Sequence, residues 1–218
     1  MVSFTTTGCG AHGHPDFTVQ FAEKPLIPHG ERLLLDYFES AVSSGTKFKA
    51  GQTVGVGSHV LRLTKRADGT LGVEEPIPSP NEEWVEAVDR TVREVTFQRW
   101  ICDSVGLELS FPPPQTDVLV AACAEGAENL VLTRLAADEL GAGFSGWMLA
   151  CAADHDHGER HQLPLLALSA MHPFCVQFLA LPPEVVVLLT PPGHGHVFFK
   201  GKQLEPRPRS YLSGLNAR

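Results

Sequence analysis

Histidine and cysteine side chains occur in three short groups along the chain, and they are the residues with the clearest potential for chemistry. Neutral imidazole and thiolate are preferred zinc donors, and three such ligands with an open coordination position make a hydrolytic site. The three groups are Cys9, His12 and His14; His155, His157 and His161; and His194 with His196.

We nevertheless predict that none of these groups is a metal site. His155, His157 and His161 have i, i+2 and i+6 spacing, which differs from the helical two-His-plus-Glu pattern of zinc proteases. Their polar surroundings favour a solvated loop, and the group nearest the start lies in a glycine-rich terminal segment of a kind that is often poorly ordered. These six residues are the candidates for a metal-dependent hydrolase, while Gly193 to His196 favours a turn.

Other catalytic signatures are missing from the sequence. It contains no nucleophile elbow, and the glycines between Gly51 and Gly57 lack the Lys and Ser/Thr ending of a phosphate-binding loop. We therefore predict that the protein is not an enzyme, with no catalytic residue and no cofactor.

Three acidic residues, Asp154, Asp156 and Glu159, are the candidates for contact with a partner protein. Carboxylates opposite a basic cleft speed association and fix its register. The alternative is a solvated loop, which is the more common role of a charged run. Trp147 follows Ser-Gly at the start of a predicted strand, which favours a place in the core over an interface anchor.

Composition limits the classes of partner and compartment. The 218 residues are 43% hydrophobic and carry a formal net charge of -8 without any run of basic residues, which argues against nucleic acid as a partner. The five cysteines are few, odd in number and mostly in apolar surroundings, as expected of free thiols in a reducing compartment. With no leader-like start and no membrane-spanning stretch, we expect a soluble, cytoplasmic protein with no membrane partner.

The first half of the chain predicts one helix and several strands. Alternation predicts a strand over Phe17 to Phe21, and apolar residues at helical spacing predict a helix from Gly30 to Val42. Strands over 52–56, 59–65 and 71–75 follow, and Asp68-Gly69 predicts a hairpin between the last two. The proline-rich run 76–80 marks a boundary.

The second half begins with a predicted linking helix over 79–106, which starts at a Ser79 cap with Pro80 and Glu82. The elements predicted after it are a short helix over 115–125, strands over 129–135 and 146–152, a polar loop over 154–162, a helix over 165–179 broken at 172–173, strands over 184–190 and 196–200, and a loose tail from 206.

These elements define an α+β fold class. We expect an N-terminal helix with an antiparallel sheet, a linking helix, and a C-terminal mixed sheet flanked by short helices. The predicted domains are residues 1–78, the linking helix 79–106, a C-terminal domain 107–205 and a tail 206–218.

Three short motifs in the second half carry a family resemblance. They are Ser145-Gly146-Trp147, Leu163-Pro164-Leu165 and Phe178-Leu179-Ala180-Leu181-Pro182-Pro183. From about Thr96 to Leu204 the chain resembles immunity-protein domain thirty-three of the bacterial polymorphic-toxin systems, although the segment Gly193 to Phe198 departs from the acidic and aromatic ending usual in that family. The family supplies no catalytic residues to carry over.

The resemblance implies an immunity protein, or antitoxin, that neutralises a cognate secreted antibacterial toxin by stoichiometric binding. It also implies a toxin of the kind delivered by type VI secretion. The alternatives are a metal-dependent hydrolase built on the histidine groups and a scaffold protein with an immunity-like domain. The oligomeric state stays open.

Overall fold

The computed structural model describes residues 1–78, 83–190 and 193–217. The chain is α+β and forms two compact units, Met1–Thr96 and Phe97–Arg218, each with its own sheet and core. Within the described residues, no helix is both long and apolar enough to cross a membrane.

The described part of the first unit is a six-stranded mixed sheet with the 3-10 helix Cys9–His12, the α-helix Arg32–Ser43 and the first part of the α-helix Asp89–Val105. Its elements are β1 (Val2–Thr5), β2 (Phe17–Phe21), α1 (Arg32–Ser43), β3 (Thr53–Val56), β4 (His59–Lys65), β5 (Leu71–Pro76) and β6 (Trp84–Val85). The sheet order is β1-β2-β5-β4-β3, and β6 pairs with β5. The strand predicted at Phe17 to Phe21 and the hairpin of β4 and β5 are confirmed.

The predicted arrangement of this half is wrong in two details. The N-terminus consists of strands β1 and β2 rather than a helix, and α1 follows them. The sheet is not purely antiparallel, because β2 pairs with β5 in parallel and the chain crosses over through α1, β3 and β4 to return. The core centres on Phe17 and Phe38, whose rings stack with centroids 4.1 Å apart.

The predicted linking helix is also shorter than expected. Its predicted start at 79–82 lies outside the described residues, Trp84–Val85 is a strand, and α2 runs over Asp89–Val105. Two amides of its first turn are satisfied by Glu75, whose carboxylate accepts from the N–H groups of Arg90 at 3.1 Å and Thr91 at 2.7 Å. A carboxylate from β5 therefore fixes the start of the helix, in the position that favours negative charge.

The second unit is a seven-stranded mixed sheet with short helices. After the last part of α2 come β7 (Asp117–Ala121), β8 (Leu130–Arg134), α3 (Ala137–Leu140), β9 (Phe144–Cys151), β10 (Arg160–Pro164), α4 (Leu165–Met171), a 3-10 helix (Pro173–Phe178), β11 (Val185–Thr190), β12 (His194–Phe199), β13 (Lys202–Gln203) and α5 (Tyr211–Asn216). The order is β10-β7-β9-β8-β11-β12-β13, with β7 and β9 parallel and the other pairs antiparallel.

Several elements of this half differ from those predicted from the sequence. Within the predicted helix over 115–125, Asp117–Ala121 is strand β7 and Ala122–Ala124 is a single 3-10 turn, because β7 lies between β10 and β9 and both neighbours pair with its backbone. The polar loop ends earlier than predicted, since β10 begins at Arg160. His194 and His196 belong to β12 rather than to a turn. The tail is ordered by α5, where Ser210 caps the helix and Leu212 is buried.

A buried arginine joins two of the three family motifs to each other. Arg134, only 6% exposed, donates from Nη1 to the carbonyls of Ser110, Leu179 and Leu181, and its guanidinium lies 5.4 Å from the ring centre of Trp147. Trp147 is fully buried, as predicted, and donates its indole N–H to the Leu179 carbonyl at 3.1 Å. Burial lowers the pKa of Arg134 to about 10, which leaves it charged at neutral pH.

We expect Arg134→Met to destabilise the protein by about 2–4 kcal/mol, because it removes the guanidinium donor from the carbonyls of Ser110 and Leu181. The stability of Arg134→Lys should fall between that of the wild type and that of Arg134→Met, since a single ammonium cannot span the same carbonyls. Urea unfolding followed by tryptophan fluorescence measures the change. The matched control is Arg160→Met at an exposed strand position, and equal stability of the two methionine variants would refute the role of Arg134.

A second buried ionisable cluster lies in the first unit. Nε2 of His59 is 3.4 Å from Oε2 of Glu94, and neither atom has a hydrogen-bond partner in the part of the chain that the structure describes. Burial raises the pKa of Glu94 to about 7 although Arg90 and Arg93 oppose the shift, and burial together with Arg90 lowers the pKa of His59 to about 3. Glu75 adds a further negative charge that raises the pKa of Glu94.

Glu94 should make stability depend on pH. Because its folded pKa of about 7 exceeds its ordinary value of 4.5, its contribution is complete below pH 4.5 and is lost as the pH rises through 7. As the pH rises from 4 to 8, we expect the free energy of unfolding of Glu94→Gln to increase by up to about 3 kcal/mol relative to that of the wild type. Comparing the two proteins at each pH cancels the opposite contribution of His59, and a constant difference across the range would contradict the assignment.

Candidate functional site

Three segments of the second unit meet at one edge of its sheet. β7 and β9 are parallel neighbours, so their carboxyl ends lie at the same edge, and β10 starts there because Arg160 pairs with Ala121. Two backbone hydrogen bonds hold the connecting loop 152–159 at its ends, from Ala152 to Asn129 at 2.9 Å and from Ala122 to Glu159 at 3.2 Å.

This edge gathers two cysteines and two histidines. Cys123 lies in a 3-10 turn just after β7, Cys151 ends β9, and His155 and His157 lie in the loop. One ligand atom from each of the four residues lies within 4.8 Å of the others. Sγ of Cys151 is 3.0 Å from Nε2 of His155 and 3.8 Å from Nδ1 of His157, which is itself 3.3 Å from Sγ of Cys123.

The loop orients these side chains through its own backbone. Nδ1 of His155 is 2.7 Å from the carbonyl oxygen of Asp156, so this nitrogen carries the proton and Nε2 presents its lone pair to Cys151. The Asp156 carboxylate accepts from the Gly158 N–H at 3.1 Å, which shapes the chain around His157. Two thiols and two imidazoles are donors suited to a soft or borderline metal ion.

The other histidine and cysteine candidates do not join this cluster. His161 is exposed on β10, where its backbone pairs with Val120. At the start of the chain His14 is buried, and Nε2 of its ring accepts from the Phe48 N–H at 2.9 Å, which gives it a structural role. Cys9 is buried beside Thr6, whereas His12 is exposed. Within the described residues, these four do not form a cluster that could hold a metal.

Sequence reasoning missed both cysteines of the cluster. Cys123 and Cys151 stand in alanine-rich apolar stretches, 28 positions apart, and look like ordinary core thiols. The prediction of no metal site rests on the histidine spacing and on the polar or terminal surroundings of each group, and it does not consider Cys123 or Cys151. The i+4 and i+6 spacing of the two histidines from Cys151 is the one pattern that points to the cluster, and it becomes informative only when β7 and β9 are known to be parallel neighbours.

The acidic candidates lie on the same loop. Asp154, Asp156 and Glu159 are all exposed, and none of the three forms an ion pair within the described part of the chain. Their charges are therefore available to an incoming molecule, and they lie on the loop that carries His155 and His157.

The sheet beside the loop has one packed face and one partly exposed face. The packed face carries the core, with Leu132, Trp147, Leu149 and Val187 fully or almost fully buried. The alternate positions form two rows of directly paired residues on the opposite face. The first row is Leu119, Met148, Thr133, Val186 and Phe198, and the second is Ala150, Val131, Leu188 and His196. Eight of these nine residues are partly buried and His196 is exposed.

A shallow concavity connects this face to the acidic loop. Its lining includes Val131, Met148 and Ala150 from the strands and Asp154, His157 and Arg160 from the loop and the next strand. The surface thus combines apolar strand positions with charged groups at one border, which is the composition of a protein-binding patch with a polar rim.

An α+β unit with an apolar, partly exposed sheet face and a charged border is of the class that suits protein recognition. Residues 97–200 match the family model of the Imm33-like domain, which confirms the resemblance noted for the second half. The matched region covers most of the second unit and slightly less than half of the chain, and the first unit lies outside it. No curated protein and no solved structure matches the chain.

Proposed function

We propose that this protein is an immunity protein that neutralises a cognate secreted antibacterial toxin by direct, stoichiometric binding in the cytoplasm of the producing cell. The observation that carries the proposal is the Imm33-like match over residues 97–200. Neutralisation requires an interface that occludes the toxin's active site or its substrate path, and a stable interface of this kind buries at least about 1,000 Å².

The partly exposed sheet face is the surface that best suits such an interface. Its two rows cross five and four neighbouring strands between β7 and β12, and they present mainly aliphatic side chains, with Met148 on β9 beside the central strand β8. Methionine and aromatic side chains are favoured at the centres of interfaces, where water is excluded. We therefore assign the energetic centre of the complex to this face.

The acidic loop supplies the charged border of the proposed interface. Asp154, Asp156 and Glu159 are exposed and free of ion pairs with the described basic residues. Toxins that act on nucleic acids or nucleotides have basic clefts, and opposing carboxylates accelerate encounter more than they increase affinity. A type VI effector with a basic active cleft is the class of partner that fits this border.

The alternative functions differ from binding in observable ways. In a metal-dependent hydrolase, three protein ligands leave an open position for water, whereas the cluster here offers four protein donors and would fill a tetrahedral shell. That donor count supports inhibition by binding over hydrolysis. A scaffold protein would bind a partner without protecting cells from it, so growth protection separates scaffold from antitoxin.

The test begins with crosslinking of the tagged chain in its native cells and identification of the captured effector by mass spectrometry. That effector is then expressed in a surrogate host with increasing amounts of the chain. We expect growth to recover near a 1:1 ratio, and size-exclusion chromatography with light scattering to show one stoichiometric complex. Protection at strongly substoichiometric amounts would indicate catalysis, and binding without protection would indicate a scaffold.

Two substitutions separate the roles of the sheet face and the loop. Met148→Arg should weaken the complex by at least about 30-fold, mainly through faster dissociation, because it places a charge at the apolar centre. Asp154→Lys should slow association by about tenfold at low salt, with a smaller effect at high salt. Both are measured by surface plasmon resonance with the identified effector.

The matched control for the loop is Glu205→Lys, a charge reversal at an exposed position. Glu205 follows β13, which is the outermost strand on the side of the sheet opposite β10. It should leave both rate constants within about twofold of the wild type. If Glu205→Lys and Asp154→Lys slow association equally, the effect belongs to net charge and the loop is not the border of the interface.

A further inference from the structure

We propose that Cys123, Cys151, His155 and His157 bind one zinc ion in a tetrahedral site with two thiolate and two imidazole ligands, and that the ion fixes the loop between β9 and β10. The inference concerns the chain alone and does not depend on the proposed antitoxin function.

The first argument is the distance between donor atoms. Zinc–sulfur bonds of about 2.3 Å and zinc–nitrogen bonds of about 2.0–2.1 Å give a tetrahedron with edges of roughly 3.3–3.8 Å. Three donor pairs in the cluster are 3.0, 3.3 and 3.8 Å apart, and the largest separation among the four donors is within 4.8 Å. The longest separation therefore exceeds a tetrahedral edge by at most about 1.5 Å, a gap that small movements of the donor side chains would close.

The second argument is the direction of the lone pairs. The bond from Nδ1–H of His155 to the Asp156 carbonyl commits Nε2 to the cluster. Metal-bound histidines almost always donate their second ring nitrogen in this way, which fixes the tautomer and the ring orientation. The tautomer found here is the one that zinc coordination needs.

The third argument concerns charge. Two thiolates balance the charge of a divalent ion, so the loaded site has no net charge at the partly buried edge where it lies. Cys151 is buried and Cys123 and His157 are partly buried, whereas His155 is exposed. Ions can thus enter from the side of His155, while the two sulfur atoms stay shielded.

With four protein donors the coordination shell is complete, which makes the proposed site structural. It would join the ends of β7 and β9 to a loop whose remaining support is a small number of backbone hydrogen bonds. Since that loop carries Asp154, Asp156 and Glu159, zinc would also hold these three carboxylates in fixed positions.

The test uses the full chain without an affinity tag, purified under reducing conditions. We expect elemental mass spectrometry to find about one zinc per chain. The zinc-free protein with Co(II) should show the intense ligand-field bands of tetrahedral coordination and a thiolate-to-metal charge-transfer band. Less than about 0.1 zinc per chain after reconstitution and dialysis, or the weak spectrum of six-coordinate Co(II), would overturn the proposal.

Variants assign the ligands. Cys123→Ser, His157→Gln and His155→Gln should each lower zinc affinity by at least about 100-fold. His161→Gln and Cys9→Ser are matched controls, with the same changes at positions outside the cluster, and they should bind zinc as the wild type does. Equal loss in the controls, or unchanged affinity in the ligand variants, would refute the assignment. Because His155 is exposed, its substitution keeps the test valid if a cysteine variant fails to fold.

A second readout depends on the thiols. Zinc should slow alkylation of Cys123 by at least about tenfold relative to the zinc-free, reduced protein, because the coordinated thiolate is no longer free to react. The rate at Cys9 should not change. If both thiols react at the same rates with and without zinc, or if Cys123 and Cys151 form a disulfide that zinc and reductant do not prevent, the proposal is wrong.

Discussion

The charge of Arg134 is buried in the second unit and pairs with no carboxylate among the described residues, and much of that unit depends on how the charge is satisfied. Its guanidinium donates to the carbonyls of Ser110, Leu179 and Leu181, while Trp147 donates to Leu179. A buried guanidinium without these acceptors would cost several kcal/mol. These bonds therefore hold the strand that carries Arg134 against the turn around Leu179. They also determine which face of the sheet packs into the core.

As a consequence, one face of the sheet is buried in the core. Once helices and the 179–181 turn cover the face that holds Trp147, strand alternation sends Met148 and Val131 to the other side. Gly146 has a φ of +83°, and a Cβ there would lie 2.7 Å from the Leu135 carbonyl, so the bend that places Trp147 in the core requires glycine. The Ser-Gly-Trp motif is thus explained by packing, and the proposed interface lies on the opposite face and its border.

Local patterns were sufficient for some of the fold. The alternation from Phe17 to Phe21 and the Asp68-Gly69 turn predict β2 and the β4–β5 hairpin because both depend on neighbours in sequence. The start of α2 depends on Glu75, fourteen residues before Asp89, and β7 depends on pairing with strands that come later in the chain. An apolar run such as 115–125 fits a helix or a strand equally well until those partners are known.

The candidate site likewise combines residues that are adjacent in sequence with a residue that only strand pairing brings close. The loop histidines and carboxylates are visible in sequence because they are adjacent, so their chemistry can be considered without a structure. Cys123 enters only because β7 and β9 are parallel, a pairing that needs a long crossover and brings together residues 28 positions apart. Parallel pairing places both strand ends at one edge, and the loop leaving β9 must pass that edge to reach β10. The topology therefore accounts for donor atoms from three segments meeting beside the acidic loop, where fixing the backbone with an ion would reduce the conformational entropy that binding must otherwise overcome.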